Sequence, residues 1–270
     1  MIKIVPNGGN SYQMSPSPQR EQPKRGTCKG WTRDVSRGNC DFLMSVETDS
    51  LTGCGFALSL TIRDCPETPQ AWQDVRRRFV ERLRRLGLIR LHWLTEWQRR
   101  GVPHLHAAAW FSDGVTVDAL LSHWLASARA YSPGLQSQHI APITGAPGWF
   151  EYLAKHAARS VSNYQRSSSN IPPAWGGNTG RMWGHVGEWS TSEAKLIEVP
   201  DPVEKQYRRL MLRYQIGKAR RQGDHRRVMY FRRYLSRSPK DTARAQALPR
   251  LWIPENDQWS LLACAMKSHG

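Results

Sequence analysis

Two histidines separated by a single residue, His104 and His106, have a spacing that favours shared chemistry. Successive side chains of a β-strand point to opposite faces, so residues two apart project from one face, roughly 6–7 Å from each other. Two imidazoles placed in this way can bind one metal ion. The same spacing also fits two histidines whose nitrogens are satisfied by hydrogen bonds. The sequence on either side of the pair is therefore needed to choose between metal binding and hydrogen-bonded histidines.

A β-hairpin is predicted around this pair. Residues 89–97 and 102–111 have the apolar and aromatic composition of strands, and the short Gly-containing segment between them is typical of a turn. With the turn centred on Arg99-Arg100, Glu96 lies opposite His104 and on the same face. Two imidazoles and a carboxylate then converge on an open site, which suits a catalytic Mg²⁺ or Mn²⁺ ion. The alternative for Glu96 is a surface cross-strand partner for an arginine.

A tyrosine with basic neighbours lies downstream of the histidines. Residues 149–159 are predicted to be helical, and on a helix Lys155 and His156 share a face with Tyr152. A phenol has a pKa of about 10, so it needs a nearby cation and a metal-polarised phosphate to act as a nucleophile at neutral pH. The alternative is an amphipathic helix in which the tyrosine is half-buried.

The composition favours a polyanionic partner. The net charge is +17, and a charge so far from neutrality favours nucleic acid as a ligand. A membrane is not indicated, because no apolar run approaches the roughly 18 residues that span a bilayer. The five cysteines are irregularly spaced and no secretion signal opens the chain, so neither a disulfide framework nor a zinc ribbon is predicted and the reducing cytoplasm of a cell fits best.

The chain divides into three predicted parts. Residues 1–26 are rich in Pro, Ser, Gly, Asn and Gln and are predicted to be a flexible leader. Residues 27–200 contain a strand at 56–62, an amphipathic helix that ends near Gly87, the hairpin and a further helix at about 116–130. The arginines of the first helix fit either a solvated face or a surface that contacts phosphate. Residues 201–270 form an extension, the last thirty residues of which give no clear signal.

The extension is strongly basic. Residues 205–240 hold thirteen Lys or Arg side chains against the single acid Asp224, and two helices broken near Gly223 are predicted. Nine arginines are predicted to contact nucleic acid: Arg208, Arg209, Arg213, Arg220, Arg221, Arg226, Arg227, Arg232 and Arg233. The interleaved aromatic residues fit either stacking on unpaired bases or the core of a helical subdomain.

The order of these features resembles the three motifs of HUH replication initiators, which serve small rolling-circle plasmids and single-stranded DNA phages. The motifs are the strand 57–61, then Glu96-x-Gln98-x-Arg100-Gly101-x-x-His104-x-His106, then Tyr152-x-x-Lys155. The segment Arg181-Met182-Trp183-Gly184 also resembles one that follows the tyrosine motif in bacterial and phage members. The resemblance covers about residues 30–190.

The resemblance implies an α+β fold with a central antiparallel β-sheet flanked by helices, in which the histidines lie on a central strand. It implies that His104, His106 and Glu96 bind a divalent metal, Mg²⁺ or Mn²⁺. It further implies that Tyr152, assisted by Lys155, nicks and rejoins DNA through a 5′-phosphotyrosine. Residues 27–200 would then be the nicking domain and 201–270 a DNA-binding extension. The implied partners are single-stranded or hairpin origin DNA, a host helicase and the replication machinery.

The sequence departs from the family motifs at two points, and three alternative functions remain open. His156 occupies the place of the second tyrosine of two-tyrosine initiators, so a single-tyrosine enzyme is expected unless Tyr164 substitutes. No G-x-x-x-x-G-K-[ST] phosphate loop is present, so a fused helicase is not expected. A single-tyrosine transposase shares this chemistry, as does a relaxase, although relaxases usually carry a third histidine. A non-catalytic basic nucleic-acid-binding protein would also explain the charge.

Overall fold

The computed structural model describes four stretches of the chain, residues 1–11, 27–144, 163–236 and 251–268. It divides into two compact units. The second unit holds the described residues between 27 and 190 except 42–47, and the first unit holds the others. None of the described helices combines the length and apolar character that crossing a membrane requires.

Eight strands and six α-helices make up the described structure. The strands are β1 (Ile2–Val5), β2 (Gly8–Ser11), β3 (Cys54–Thr61), β4 (Leu88–Trp97), β5 (Pro103–Phe111), β6 (His139–Pro142), β7 (Trp183–Gly187) and β8 (Lys195–Ile197). The helices are α1 (Arg33–Ser45), α2 (Pro69–Arg85), α3 (Val117–Ala128), α4 (Asp201–Arg221), α5 (His225–Leu235) and α6 (Glu255–Lys267).

The second unit is built on a five-stranded antiparallel sheet with the strand order β6-β3-β5-β4-β7. The strand that carries both histidines, β5, is therefore the central one. The helices α2 and α3 belong to the same unit as the sheet. The predicted α+β class, with a central antiparallel sheet flanked by helices, is therefore confirmed.

One face of this sheet is apolar because side chains alternate along each strand. On that face β5 contributes Leu105 and Phe111, which are 1% and 0% exposed, and α2 and α3 contribute Trp72 and Trp124, which are 1% and 0% exposed. The predicted amphipathic helix corresponds to α2, and it begins where the Thr68 hydroxyl accepts a hydrogen bond from the backbone of Ala71 at 3.1 Å. The opposite face of the sheet carries the histidines.

The first unit contains a small sheet with the order β2-β1-β8 and the helices α4, α5 and α6. Its core includes Ile2, Ile4 and Tyr207, each 0% exposed. The two predicted basic helices are confirmed, and the break between them contains Gly223 at φ +68°. A positive φ of this kind is one that glycine adopts without steric cost.

The structure differs from the sequence-based expectation in two segments. Residues 2–11, predicted to belong to the flexible leader, form the hairpin of β1 and β2 because Ile2 and Ile4 are apolar enough to enter the core of the first unit. Residues 12–26 lie outside the described residues. Residues 191–200, expected to belong to the nicking domain, group with the first unit since β8 pairs with β1.

Candidate functional site

The hairpin of β4 and β5 aligns the predicted site residues. Glu96 is the direct partner of His104 in the antiparallel ladder, as predicted. The turn is closed by Gln98 N donating to Val102 O at 2.9 Å and Gly101 N donating to Gln98 O at 2.9 Å. Paired residues of an antiparallel ladder point to the same face. Glu96, His104 and His106 therefore share one face of the sheet.

The polar side chains of the turn have a structural role. Gln98 Nε2 donates to Thr61 Oγ1 at 2.7 Å and its Oε1 accepts from Arg100 Nε at 2.8 Å. The Arg100 guanidinium also donates to the carbonyl oxygens of Ile62 and Arg63 at 2.5 Å each. These bonds tie the turn to the end of β3, so they fix the position of the hairpin against the strand on its other side.

His106 is held by the neighbouring strand. Its Nδ1 lies 2.9 Å from the hydroxyl oxygen of Ser59, its ladder partner on β3. His106 is 4% exposed, and its ring lies edge-on to that of His104 with the centroids 4.3 Å apart. When Nδ1–H donates to Ser59, the lone pair of His106 is on Nε2. A hydrogen bond of this type orients a metal-binding imidazole.

Glu96 is buried, and its two oxygens have different neighbours. Oε1 accepts a hydrogen bond from Nε of Arg166 at 3.0 Å, and both side chains are 0% exposed. Oε2 lies 3.5 Å from Nε2 of His106. Glu96 thus has an arginine partner, but not the surface cross-strand one of the alternative, because Arg166 is fully buried and lies in the segment Tyr164–Arg166. One carboxylate oxygen accepts from the arginine while the other faces His106.

Arg166 is a site residue that none of the sequence motifs predicts. Its guanidinium also donates to Ser36 Oγ at 3.2 Å and stacks on the ring of Trp31 with 3.9 Å from Cζ to the centroid. The Trp31 indole in turn donates to the backbone oxygen of Thr95 at 2.8 Å. Arg166 is 70 positions from Glu96, so no local pattern in the sequence identifies it.

The donor types at this site fit a hard divalent cation. Two donors that bind one ion at right angles, each at about 2.1 Å, lie about 3 Å apart, and the gap between His106 Nε2 and Glu96 Oε2 is 3.5 Å. Within the described stretches no three His, Cys, Asp or Glu side chains are already gathered as a metal-binding group. Binding by His104, His106 and Glu96 would therefore need a small rearrangement of their side chains.

The predicted nucleophile Tyr152 and its helper Lys155 lie outside the described residues, as does His156. Tyr164 is described. It is 48% exposed, and the guanidinium of Arg99 lies 5.0 Å from its ring centroid. Tyr164 belongs to the same short segment, Tyr164–Arg166, that carries the partner of Glu96.

Another histidine on the same face has a different environment. His92 on β4 is 0% exposed, and its Nε2 lies 2.7 Å from Oδ1 of Asn39 on α1. Burial lowers the pKa of His92 to about 3, and the neighbouring His185 contributes to this shift. His92 is therefore neutral at physiological pH and contributes to the packing of β4 against α1.

The nine arginines predicted to contact nucleic acid lie on α4 and α5. All but one of them are exposed. The exception, Arg208, lies 3.6 Å from Glu204. Of the interleaved aromatics, Tyr207 and Phe231 belong to the core, whereas Tyr230 is 45% exposed. The core interpretation is therefore confirmed for Tyr207 and Phe231, and stacking on unpaired bases stays a prediction for the exposed Tyr230.

Sequence comparisons identify relatives along almost the whole chain. Residues 55–164 match the family model for the replication-associated protein ORF2/gene 2 protein. A candidate replication protein of Xylella fastidiosa strain 9a5c is 46% identical, over 94% of this chain and 92% of its own. The replication-associated protein of Pseudomonas phage Pf3, also a gene 2 protein, is 45% identical, over 97% of this chain and 94% of its own. The chain belongs to this family of replication-associated proteins.

The segment that matches the family model contains the site. It begins in β3, includes the whole hairpin of β4 and β5, and ends at Tyr164. A second candidate replication protein from Xylella fastidiosa, of strain Temecula1, is 44% identical over 92% of this chain and 96% of its own. No solved structure matches this member of the family.

Proposed function

We propose that this protein initiates rolling-circle replication by nicking and rejoining origin DNA through a covalent link to Tyr152. The observation that carries the proposal is the 3.5 Å approach of Glu96 Oε2 to His106 Nε2, beside His104 on the central strand. Membership in a replication-associated family supports the same role.

The proposed reaction is a transesterification. The phenolate oxygen of Tyr152 attacks the scissile phosphorus, the bond from phosphorus to the 3′-oxygen breaks, and a proton moves to the 3′-oxygen. The products are a 5′-phosphotyrosine and a free 3′-hydroxyl that primes synthesis. One phosphodiester bond replaces another, so the reverse reaction rejoins the strand without ATP. Lys155 favours the phenolate and neutralises the phosphate.

His104, His106 and Glu96 would hold Mg²⁺ or Mn²⁺. When bound, the cation supplies Lewis-acid polarisation of the scissile phosphate. Ser59 orients His106, and Arg166 holds Oε1 of Glu96 so that only Oε2 is directed at the site. Such supporting contacts determine how well a ligand set is prearranged.

The DNA itself would be held partly by the exposed arginines of α4 and α5. Each contact between an arginine and a phosphate releases counterions, so the affinity falls as the salt concentration rises. Host helicase and replication proteins are the partners expected to unwind and copy the strand.

The decisive experiment uses the full chain, Mn²⁺ and single-stranded DNA that contains the origin of its own replicon. The expected product is a protein–DNA adduct that survives denaturant and contains the 5′ end of the cut. Tyr152→Phe should abolish the adduct, and Tyr164→Phe is the matched control that should retain it. An adduct formed by Tyr152→Phe would exclude Tyr152 as the nucleophile, and its loss in Tyr164→Phe would indicate a second catalytic tyrosine.

The metal site is tested in the same assay. The double substitution His104→Ala and His106→Ala should reduce adduct formation by at least about 100-fold, as should removal of the metal with EDTA. Nicking that is unchanged in the double variant would refute the proposed metal site but not the role of Tyr152.

A further inference from the structure

A second buried arginine of the second unit has an environment unlike that of Arg166. Arg76 on α2 is 8% exposed, and its Cζ lies 3.4 Å from the ring centroid of Trp93. Among the described residues its one hydrogen bond is a long one, from Nη1 to the backbone oxygen of Arg181 at 3.5 Å. The residue keeps only a small contact with solvent. Most of the five N–H donors of this guanidinium are therefore available to a ligand.

No described carboxylate balances the charge of Arg76. No described acid forms an ion pair with it, and the charge that affects its pKa is the positive one of Arg181. Burial lowers the pKa of Arg76, and Arg181 lowers it further, so the protein disfavours the charged form of this side chain. Arg166 is buried more deeply, at 2% exposure, but faces Glu96. A buried charge without a partner is costly to a fold, so its presence calls for an anion from outside the chain.

The surroundings hold the Arg76 guanidinium in a fixed place. Gly184 is the ladder partner of Trp93, and a Cβ at Gly184 would lie 2.8 Å from Cζ2 of the indole. The glycine thus lets the Trp93 ring lie against β7, where it supports the guanidinium. At Gly180, which has φ +63°, a Cβ would collide with the amide of Gln73 on α2. The loop that carries Arg181 is therefore packed closely onto the helix that carries Arg76.

We propose that Arg76 and Arg181 form a phosphate-binding site that takes a phosphodiester group of the DNA backbone. The site rests on the DNA binding of the proposed function, but Arg76 lies against Trp93, on the face of the sheet opposite His104 and His106. It gives the segment Arg181-Met182-Trp183-Gly184 a function: Arg181 supplies a cation, and Gly184 makes room for the ring that supports Arg76.

The chemistry of the two side chains suits this ligand. A guanidinium binds two phosphate oxygens with two parallel hydrogen bonds, and stacking on an aromatic ring keeps its plane fixed. Arg181 is exposed, so it can approach the same phosphate from the solvent side. The neighbouring charge that is unfavourable in the absence of ligand becomes favourable when an anion lies between the two guanidinium groups.

The test measures binding of a labelled single-stranded oligonucleotide in EDTA, so that cleavage plays no part. The variants are Arg76→Met, Arg181→Ala and the control Arg84→Met, which removes one charge from an exposed position of the same helix. Arg76→Met and Arg181→Ala should each weaken binding by about tenfold relative to Arg84→Met, and should reduce the slope of log affinity against log salt by about 0.7. Inorganic phosphate, as a second ligand, should raise the melting temperature of the wild type more than that of Arg76→Met.

The outcomes separate this inference from the proposed function. Oligonucleotide binding by Arg76→Met and Arg181→Ala that equals that of Arg84→Met would overturn the inference, even if phosphate still stabilises the wild type, because free phosphate would then be the ligand. A wild-type protein that fails to bind the oligonucleotide would instead refute the proposed function. Without ligand, Arg76→Met should melt no lower than the wild type, since it removes an unbalanced buried charge. A clearly lower melting temperature, together with unchanged binding by Arg181→Ala, would assign Arg76 a structural role only.

Discussion

The two faces of the five-stranded sheet are made by the same strands but differ in what they bury. On one face Leu105 and Phe111 pack with the tryptophans of α2 and α3 in an apolar cluster, and the indole N–H groups of Trp72 and Trp124 donate to Thr95 and Thr61. On the other face His92, Glu96 and His106 are almost as deeply buried, at 0%, 0% and 4% exposure. Each of these polar groups has a named partner: Asn39, Arg166 and Ser59.

This difference separates stability from chemistry along one strand. In β5 every second side chain contributes to the apolar core, and the residues between them, His104 and His106, face the site. The polar face is tolerated because its buried groups are hydrogen-bonded, since an unsatisfied one costs about 1–3 kcal/mol. Substitutions on the apolar face should therefore reduce mainly stability, whereas substitutions on the polar face should also affect the chemistry of the site.

The largest effect is expected on the apolar face. Trp124→Ala removes a fully buried indole that lies edge-on to Trp72 and Phe79, with centroids 6.3 Å and 5.3 Å away. The free energy of unfolding should fall by about 4 kcal/mol, measured by urea unfolding followed by tryptophan fluorescence. At a temperature where the variant is still folded, Mn²⁺ binding should be close to that of the wild type. Loss of metal binding by the folded variant would show that the two faces are coupled.

Arg166→Met should have the next largest effect, because it leaves the Glu96 carboxylate buried without its cation. We expect a loss of about 3 kcal/mol in the free energy of unfolding. The double variant Arg166→Met and Glu96→Gln, which removes the charge as well, should recover a large part of that stability. If the two substitutions were simply additive, Arg166 would not act through Glu96.

Acid pH should destabilise the polar face through His92. Its pKa is about 3 in the folded protein and about 6.5 in the unfolded chain. The unfolded state therefore takes up the proton first as the pH falls. The stability that the neutral imidazole contributes is complete above pH 6.5 and is lost towards pH 3, at about 1.4 kcal/mol per pH unit.

Between pH 6.5 and 5 the wild type should thus lose about 2 kcal/mol through this histidine. His92→Gln should flatten the dependence of unfolding free energy on pH over this range. The control His139→Gln, at an exposed position of β6, should leave that dependence unchanged. An equal slope of unfolding free energy against pH in the wild type and His92→Gln would contradict the assignment of this pH dependence to His92.

The smallest effect is expected for Ser59→Ala. Loss of the hydroxyl that holds Nδ1 of His106 at 2.9 Å should weaken Mn²⁺ binding by about tenfold, measured by calorimetry, and should change the unfolding free energy by about 1 kcal/mol or less. Ser59→Thr, which restores a hydroxyl, should recover part of the affinity. Unchanged Mn²⁺ affinity in Ser59→Ala would mean that β3 does not orient the metal ligand.

The hairpin was predictable from the sequence because its determinants are local. A short turn with Gly101 and the alternation of β4 and β5 define the register, and the pairing of Glu96 with His104 follows from it. The basic helices of the first unit were predictable for the same reason, since Gly223 and the spacing of apolar residues are visible in one short segment.

The partners of the site residues were not predictable, because they come from distant segments. Arg166 and Ser59 lie 70 and 47 positions from Glu96 and His106, which they contact in the folded structure. The helix α1, which was not predicted, contains Gly38 and Asn39, residues of low helix propensity. Asn39 nevertheless lies against His92, so tertiary packing and not local preference explains its place in a helix.

The turn of the β4–β5 hairpin also constrains the length of the chain. Seven residues separate Glu96 from His104. If one residue were inserted between Gly101 and His104 with the turn bonds of Gln98 retained, β5 would shift by one position and its histidines would turn towards the side on which Leu105 lies. Insertions and deletions should therefore be rejected in this short segment, even at positions whose side chains contact nothing. The exposed loop after Phe111, by contrast, should accept them.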